Sequence, residues 1–197
     1  MSDFWVFFQI GLKHVLDING YDHVLFLIAL VVPFTTKDWK RILLLVSIFT
    51  LGHTAALLLA VLKIVSVNPV TVEFLIPISI LITAVFALFN AGKSAKSKSD
   101  ALIIGVTLFF GLIHGLGFSN YFLSILGGKP SEQIIPLLQF ALGIEVAQLI
   151  VVVAVLILSY IVQGFLKFSR RDFVLVMSAF VIGVVLPIII EHDIWKG

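Results

Sequence analysis

Residues 14–30 read HVLDINGYDHVLFLIAL, setting His14, Asp22 and His23 against one of the most apolar runs of the chain. Over all 197 residues, 60% are hydrophobic and only 12% are charged, whereas soluble domains carry about 25% charged residues. The mean hydropathy is +1.18. These values specify an all-α, polytopic transmembrane helical bundle with the lipid bilayer as its first partner. The length supplies roughly six or seven spans of about 20 residues each. That makes residues 1–197 a single transmembrane domain with no room for a soluble one. There is no cysteine, so any metal site must use nitrogen and oxygen ligands. A net charge of +2, with basic residues in loops and no aromatic-interleaved patch, excludes a nucleic-acid partner. The opening MSDFWVFFQIG lacks the basic region and small-residue cleavage site of a signal peptide and is expected to be retained.

Charged or Pro/Gly punctuation divides the chain into six apolar stretches: residues 4–34, 41–62, 72–89, 101–126, 134–166 and 173–190. The first is too long for one straight span. Its 31 residues would reach about 46 Å across a hydrocarbon core of about 30 Å. Asn19-Gly20 offers a break, giving a short interfacial or re-entrant helix over residues 4–18 and a segment over 21–34 that completes the crossing. Seven spans is the alternative. Lys37, Lys40 and Arg41, then Lys93, Lys96 and Lys98, then Lys167, Arg170 and Arg171 fall in alternate loops. The positive-inside rule places those loops in the cytoplasm and both termini outside. The loop AGKSAKSKSD, residues 91–100, reads as a flexible connector.

An ionisable side chain in hydrocarbon costs a few kcal/mol or more and usually faces a partner, a cavity or an ion. Here such residues concentrate in four spans: Asp22 and His23 in the first, His53 in FTLGHTAAL, His114 in FFGLIHGLGFSN and Glu145 in FALGIEVAQL. The third and sixth spans carry nothing ionisable in their interiors, only Ser79, Thr83 and Ser178, and offer faces for a homo-oligomer or another membrane partner. Counting about 1.5 Å per residue brings His53 and Glu145 to similar depths. Neutral imidazoles with one or two carboxylates form a first shell for a divalent transition metal ion, Zn2+ or Ni2+. His14, Asp22, His23, His53, His114 and Glu145 are the candidate ligands. Gln148, Thr50 and Thr54 are candidates to orient them. Gly111, Gly115 and Gly117 flank His114 and permit close helix approach.

In these four motifs the chain resembles the HupE/UreJ family of small hydrogenase- and urease-associated membrane proteins, especially its second, broadly distributed branch. The resemblance covers most of the chain and implies a multi-pass protein of the bacterial inner membrane. The better-studied branch is regarded as secondary nickel or cobalt permeases. That branch has a tighter His-x5-Asp-His spacing and a FHGxxHGxE motif, where this chain has His114 alone, and Ala141 stands where Asn is expected.

Each residue also has a plainer reading. Asp22 can offset a helix dipole in a first turn, His14 can lie at the interface beside Lys13, and the other polar groups can bond across helices. His192, at the end of the last span, is left outside the site. Three functions use the same residues. One is a transition-metal transporter, and another is an intramembrane zinc hydrolase with Glu145 or Asp22 as general base. The third is a metal-stapled accessory protein for maturation of a partner. No HExxH motif supports the enzyme, and whether the chain is an enzyme stays open at this point.

Overall fold

The structure, a computed structural model, describes residues 3–18, 20–92, 100–126 and 132–195. Seven α-helices account for most of them: α1 Asp3–Leu16, α2 Asp22–Val31, α3 Trp39–Val61, α4 Pro69–Phe89, α5 Asp100–Ile125, α6 Ile134–Gly164 and α7 Arg170–Ile190. No strand occurs among the described residues. Five helices, α3 to α7, are long and apolar enough to cross a membrane. The sixth expected span is instead two short helices of 14 and 10 residues. At 1.5 Å per residue they are about 21 and 15 Å long, each short of the hydrocarbon thickness. Lys93, Lys96, Lys98 and Asn19 lie outside the described residues.

Local chemistry starts and stops the long helices. Asn68 caps α4 by accepting from the Val70 amide, with Pro69 supplying a preset first turn. Ser169 caps α7 by accepting from the Asp172 amide. The last turn of α3 closes with Lys63 N–H donating to Ala60 O and Ile64 N–H to Leu59 O, and Lys63 takes the left-handed backbone position at φ 56°.

Two glycine seams set the helix pairs. On α5, a Cβ at Gly111 would strike the Phe49 carbonyl, and one at Gly115 would strike the His53 carbonyl and come within 2.8 Å of Ala56 Cβ. On α3, Gly52 lies equally close to Leu108 O. These contacts pair residues 49–56 with 108–115 in the same direction, so α3 and α5 run parallel with their backbones nearly touching. Gly11 and Gly143 make the second seam, between α1 and α6, against Phe140 O and Phe8 O. Because His14 stacks near Phe140 while Phe8 meets Gly143, α1 runs antiparallel to α6.

The direction of α2 follows from its neighbours. His23 lies beside His114, whereas Pro33, two residues beyond the end of α2, accepts a hydrogen bond from Arg170, and Phe34 packs under Arg41. The helix thus runs from mid-bundle toward the face where α3 and α7 begin. Helix α1 points its first turn toward that same face, since α6 is antiparallel to α3 through Glu145 with Ser47 and Thr50 and through Phe140 with His53. The two short helices therefore form a V whose limbs, ending at Leu16 and starting at Asp22, meet at mid-bundle. The C-terminal end lies toward the opposite face, where His192 and Trp195 pack on Phe74 at the start of α4. Charge counting expects both termini on one side; the V sets the first helix's start and the last helix's end toward opposite faces.

Gly111→Val should destabilise the bundle by about 1–3 kcal/mol through overpacking of the α3–α5 seam. Gly105→Val, on the same helix with nothing within 4 Å, should leave the midpoint of thermal unfolding in detergent almost unchanged. Equal effects of the two substitutions would refute the seam.

A candidate metal centre at the vertex of the V

The break between α1 and α2 delivers His14 from the last turn of one helix and His23 from the first turn of the other. His53 arrives from the α3 side of the glycine seam and His114 from the α5 side, where the seam brings the backbones close enough for side chains of ordinary reach to meet. One ring nitrogen from each of His14, His23 and His53 lies within 4.8 Å of the others. Ring centroids of His14 and His23 are 4.6 Å apart, His14 and His53 5.5 Å, and His23 and His53 5.6 Å. His114 closes the group from below, 5.1 Å from His23.

Tautomers are set on two of the four rings. His23 Nδ1 faces Asp22 Oδ1 at 3.3 Å, and His114 Nδ1 lies 2.8 Å from Phe110 O, which can only accept. A proton on each Nδ1 leaves the Nε2 lone pair pointing elsewhere, the arrangement that orients metal-binding imidazoles. Those Nε2 atoms, with His14 Nε2 and both nitrogens of His53, are buried and have no hydrogen-bond partner. Five orphaned imidazole nitrogens in one place each carry a desolvation cost of about 1–3 kcal/mol. A dication coordinated by neutral imidazoles removes that cost at the nitrogens that ligate it, one per ring, and imidazole nitrogens suit zinc, nickel and cobalt alike. The residues present fit a divalent transition metal.

The remaining candidates sort differently. Asp22 sits beside His23, its Oδ1 3.3 Å from Nδ1, and supplies a carboxylate next to the histidines. Glu145 does not join them: its carboxylate accepts from Ser47 Oγ at 2.6 Å and from Thr50 Oγ1. Ser47 and Thr50 precede His53 on α3 by six and three residues, so Glu145 lies about 5–9 Å along the axis from the histidine layer. Gln148 meets Thr50 at 2.8 Å. Thr54 is half-buried next to His53.

Access is one-sided. A cavity lined by Ile10, Lys13, His14, Asp17, Phe118 and Tyr121 reaches the centre at His14 and opens toward the face where α5 ends. Toward the other face an aromatic layer seals the histidines: Phe26 stacks on Phe49 with centroids 4.6 Å apart, and both pack on His114 at 5.4 and 5.1 Å. Beyond this layer lies a second, apolar cavity that shares Phe26 and Phe110 as its wall and extends to Arg41 and Asn90. Sequence reading missed these phenylalanines; their spacing gave no sign apart from general Phe richness.

A family model described as HupE / UreJ protein matches residues 1–191. No curated protein and no solved structure matches the chain.

Asp22→Asn should weaken affinity for zinc or nickel by about 10–100-fold, the usual effect of losing a carboxylate behind a ligating histidine, while the stoichiometry holds. Competition against a chromophoric chelator reads this directly. An unchanged affinity would remove Asp22 from the centre.

Proposed function

The chain belongs to the HupE/UreJ family, and we propose that it is a membrane transporter for a divalent transition metal, nickel, cobalt or zinc. His14, His23 and His53 are the ligands, His114 is a fourth that engages as the site rearranges, and Asp22 holds His23. The observation that carries this reading is the pair of cavities on opposite sides of one buried histidine layer. Hydrolysis needs a single opening to the metal, whereas transport needs a route in and a separate route out. A closed aromatic layer between the site and the second cavity suits the outward-facing half of an alternating cycle.

In this reading the V of α1 and α2 is a re-entrant hairpin. Lys37, Lys40, Arg41, Arg170 and Arg171 gather on the face where α3 and α7 begin, which the positive-inside rule makes cytoplasmic. Both limbs of the V then start and end on the cytoplasmic side, and the cavity at His14 opens outward. Broken helices at mid-membrane are tolerated where the freed backbone lines a polar site, and they are the usual binding elements of transporters. The family reading supports the bacterial inner membrane as the chain's location.

Metal entry moves no bond except coordination. Lys13 and Asp17 flank the approach, His14 is the first imidazole that an arriving ion meets, and His23 and His53 lie behind it. Release requires Phe26 and Phe49 to part from His114, so the hairpin limb α2 is the element that moves. Purified protein should carry about one equivalent of nickel, cobalt or zinc, and proteoliposomes should take up that ion. His53→Ala should abolish both, and Phe26→Ala should keep the bound ion while altering the flux. Protein that binds no such ion after incubation with each would sink the proposal.

A further inference from the structure

Glu145, Ser47, Thr50 and Gln148 make a second polar cluster inside the bundle, at the contact of α3 with α6, that the histidine centre does not use. Every group turned into it is an oxygen. Ser47 Oγ is 2.6 Å from Glu145 Oε1, Thr50 Oγ1 contacts Glu145 Oε2, and Thr50 Oγ1 is 2.8 Å from Gln148 Oε1. Thr50 Oγ1 is also 3.3 Å from the Val46 carbonyl. A hydroxyl carries one hydrogen, so Thr50 can serve only one of its three acceptors. With the amide placed this way, the remaining contacts of Thr50 Oγ1 set lone pair against lone pair.

Two further observations point the same way. Gln148 is 0% exposed, and its Nε2 is buried with no partner, so the amide presents its carbonyl oxygen to the cluster and leaves its donor idle. Turning the amide over would let Nε2 donate to Thr50 Oγ1 and leave Oε1 as the buried orphan instead, and it would bring Glu145 no counter-charge. Among the described residues no cationic side chain forms an ion pair with Glu145, although a carboxylate in hydrocarbon needs a counter-charge. Ser47 is exposed and Glu145 half-buried, while Thr50 and Gln148 are buried. The cluster thus has a mouth on the bundle surface and a floor within it.

We propose that Glu145, Ser47, Thr50 and Gln148 form an all-oxygen site for a small monovalent cation, sodium, separate from the histidine centre. A carboxylate, two hydroxyls and an amide carbonyl are hard donors that suit an alkali cation and not a borderline-soft transition metal. A single carboxylate balances a single positive charge. Thr50 and His53 lie three residues apart on α3, one turn along the same helix, so occupancy of the oxygen site bears on the element that presents His53. Its role is to couple a sodium ion to metal movement. That role rests on the transport reading above, whereas sodium binding itself does not.

The test is thermal unfolding of the full chain in detergent, with sodium, potassium or choline chloride at constant ionic strength and without transition metal. Sodium alone should raise the midpoint in a saturable way. Glu145→Gln and Thr50→Val should raise the half-saturating concentration at least about tenfold, and Thr50→Ser should restore it, which separates lost ligation from lost folding. His53→Ala should keep the sodium effect while losing nickel and zinc, so that failure of the histidine centre and failure of the oxygen site are read independently. Equal midpoints in all three salts overturn the proposal, as does a sodium effect that survives both Glu145→Gln and Thr50→Val. A midpoint that follows pH and ignores sodium likewise overturns it, and assigns the site to a proton.

Discussion

The bundle is organised around one expensive condition: imidazole nitrogens held in a water-poor interior with no hydrogen-bond partners. Leaving such groups unpaired costs free energy at each atom, and the arrangement gathers them instead of dispersing them. His14, His23, His53 and His114 come from four helices, and each helix is positioned by a contact that serves this convergence. The α3–α5 seam of Gly52, Gly111 and Gly115 draws two histidine-bearing backbones together, and the α1–α6 seam of Gly11 and Gly143 brings the third to the same level. The break before Asp22 admits the fourth. Replacing the cluster by apolar residues would relieve the local cost while leaving in place the glycine seams that pair these helices.

Much of this was legible in the sequence, and the reason is the hydrocarbon itself. Apolar length and charge punctuation located the five long helices to within a few residues, because lipid imposes both. Polar residues confined to certain spans announced the interior, and the histidines of those spans do converge. Sequence could not decide what residues 4–34 do. A 31-residue apolar stretch is consistent with one bent crossing or with two short limbs, and only packing against α6 and α4 selects the latter.

Glu145 shows the other limit. A depth estimate along α6 placed its carboxylate at the histidine layer, with an uncertainty of one turn. One turn is the distance that separates His53 from Thr50, and so decides whether the carboxylate faces imidazoles or hydroxyls. Helical spacing carries no information on the relative rotation and slide of two helices. The aromatic layer of Phe26, Phe49 and Phe110 was illegible for a related reason: phenylalanine is favoured both in lipid contact and in packing, and the two are told apart only by neighbours.

The seam between Gly11 and Gly143 also bears on how the molecule is made. α1 leaves the ribosome before α2 to α7, yet the groove that receives it belongs to α6, more than 100 residues later in the chain. Until α6 is inserted, α1 has no backbone to lie against, and the V cannot hold His14 at its vertex. A segment made before the others is thus among the last to dock, and α3 and α5 can already be paired while the centre lacks a ligand. A nascent chain released before α6 would carry His23, His53 and His114 but no settled His14, leaving it a poor trap for passing metal ions.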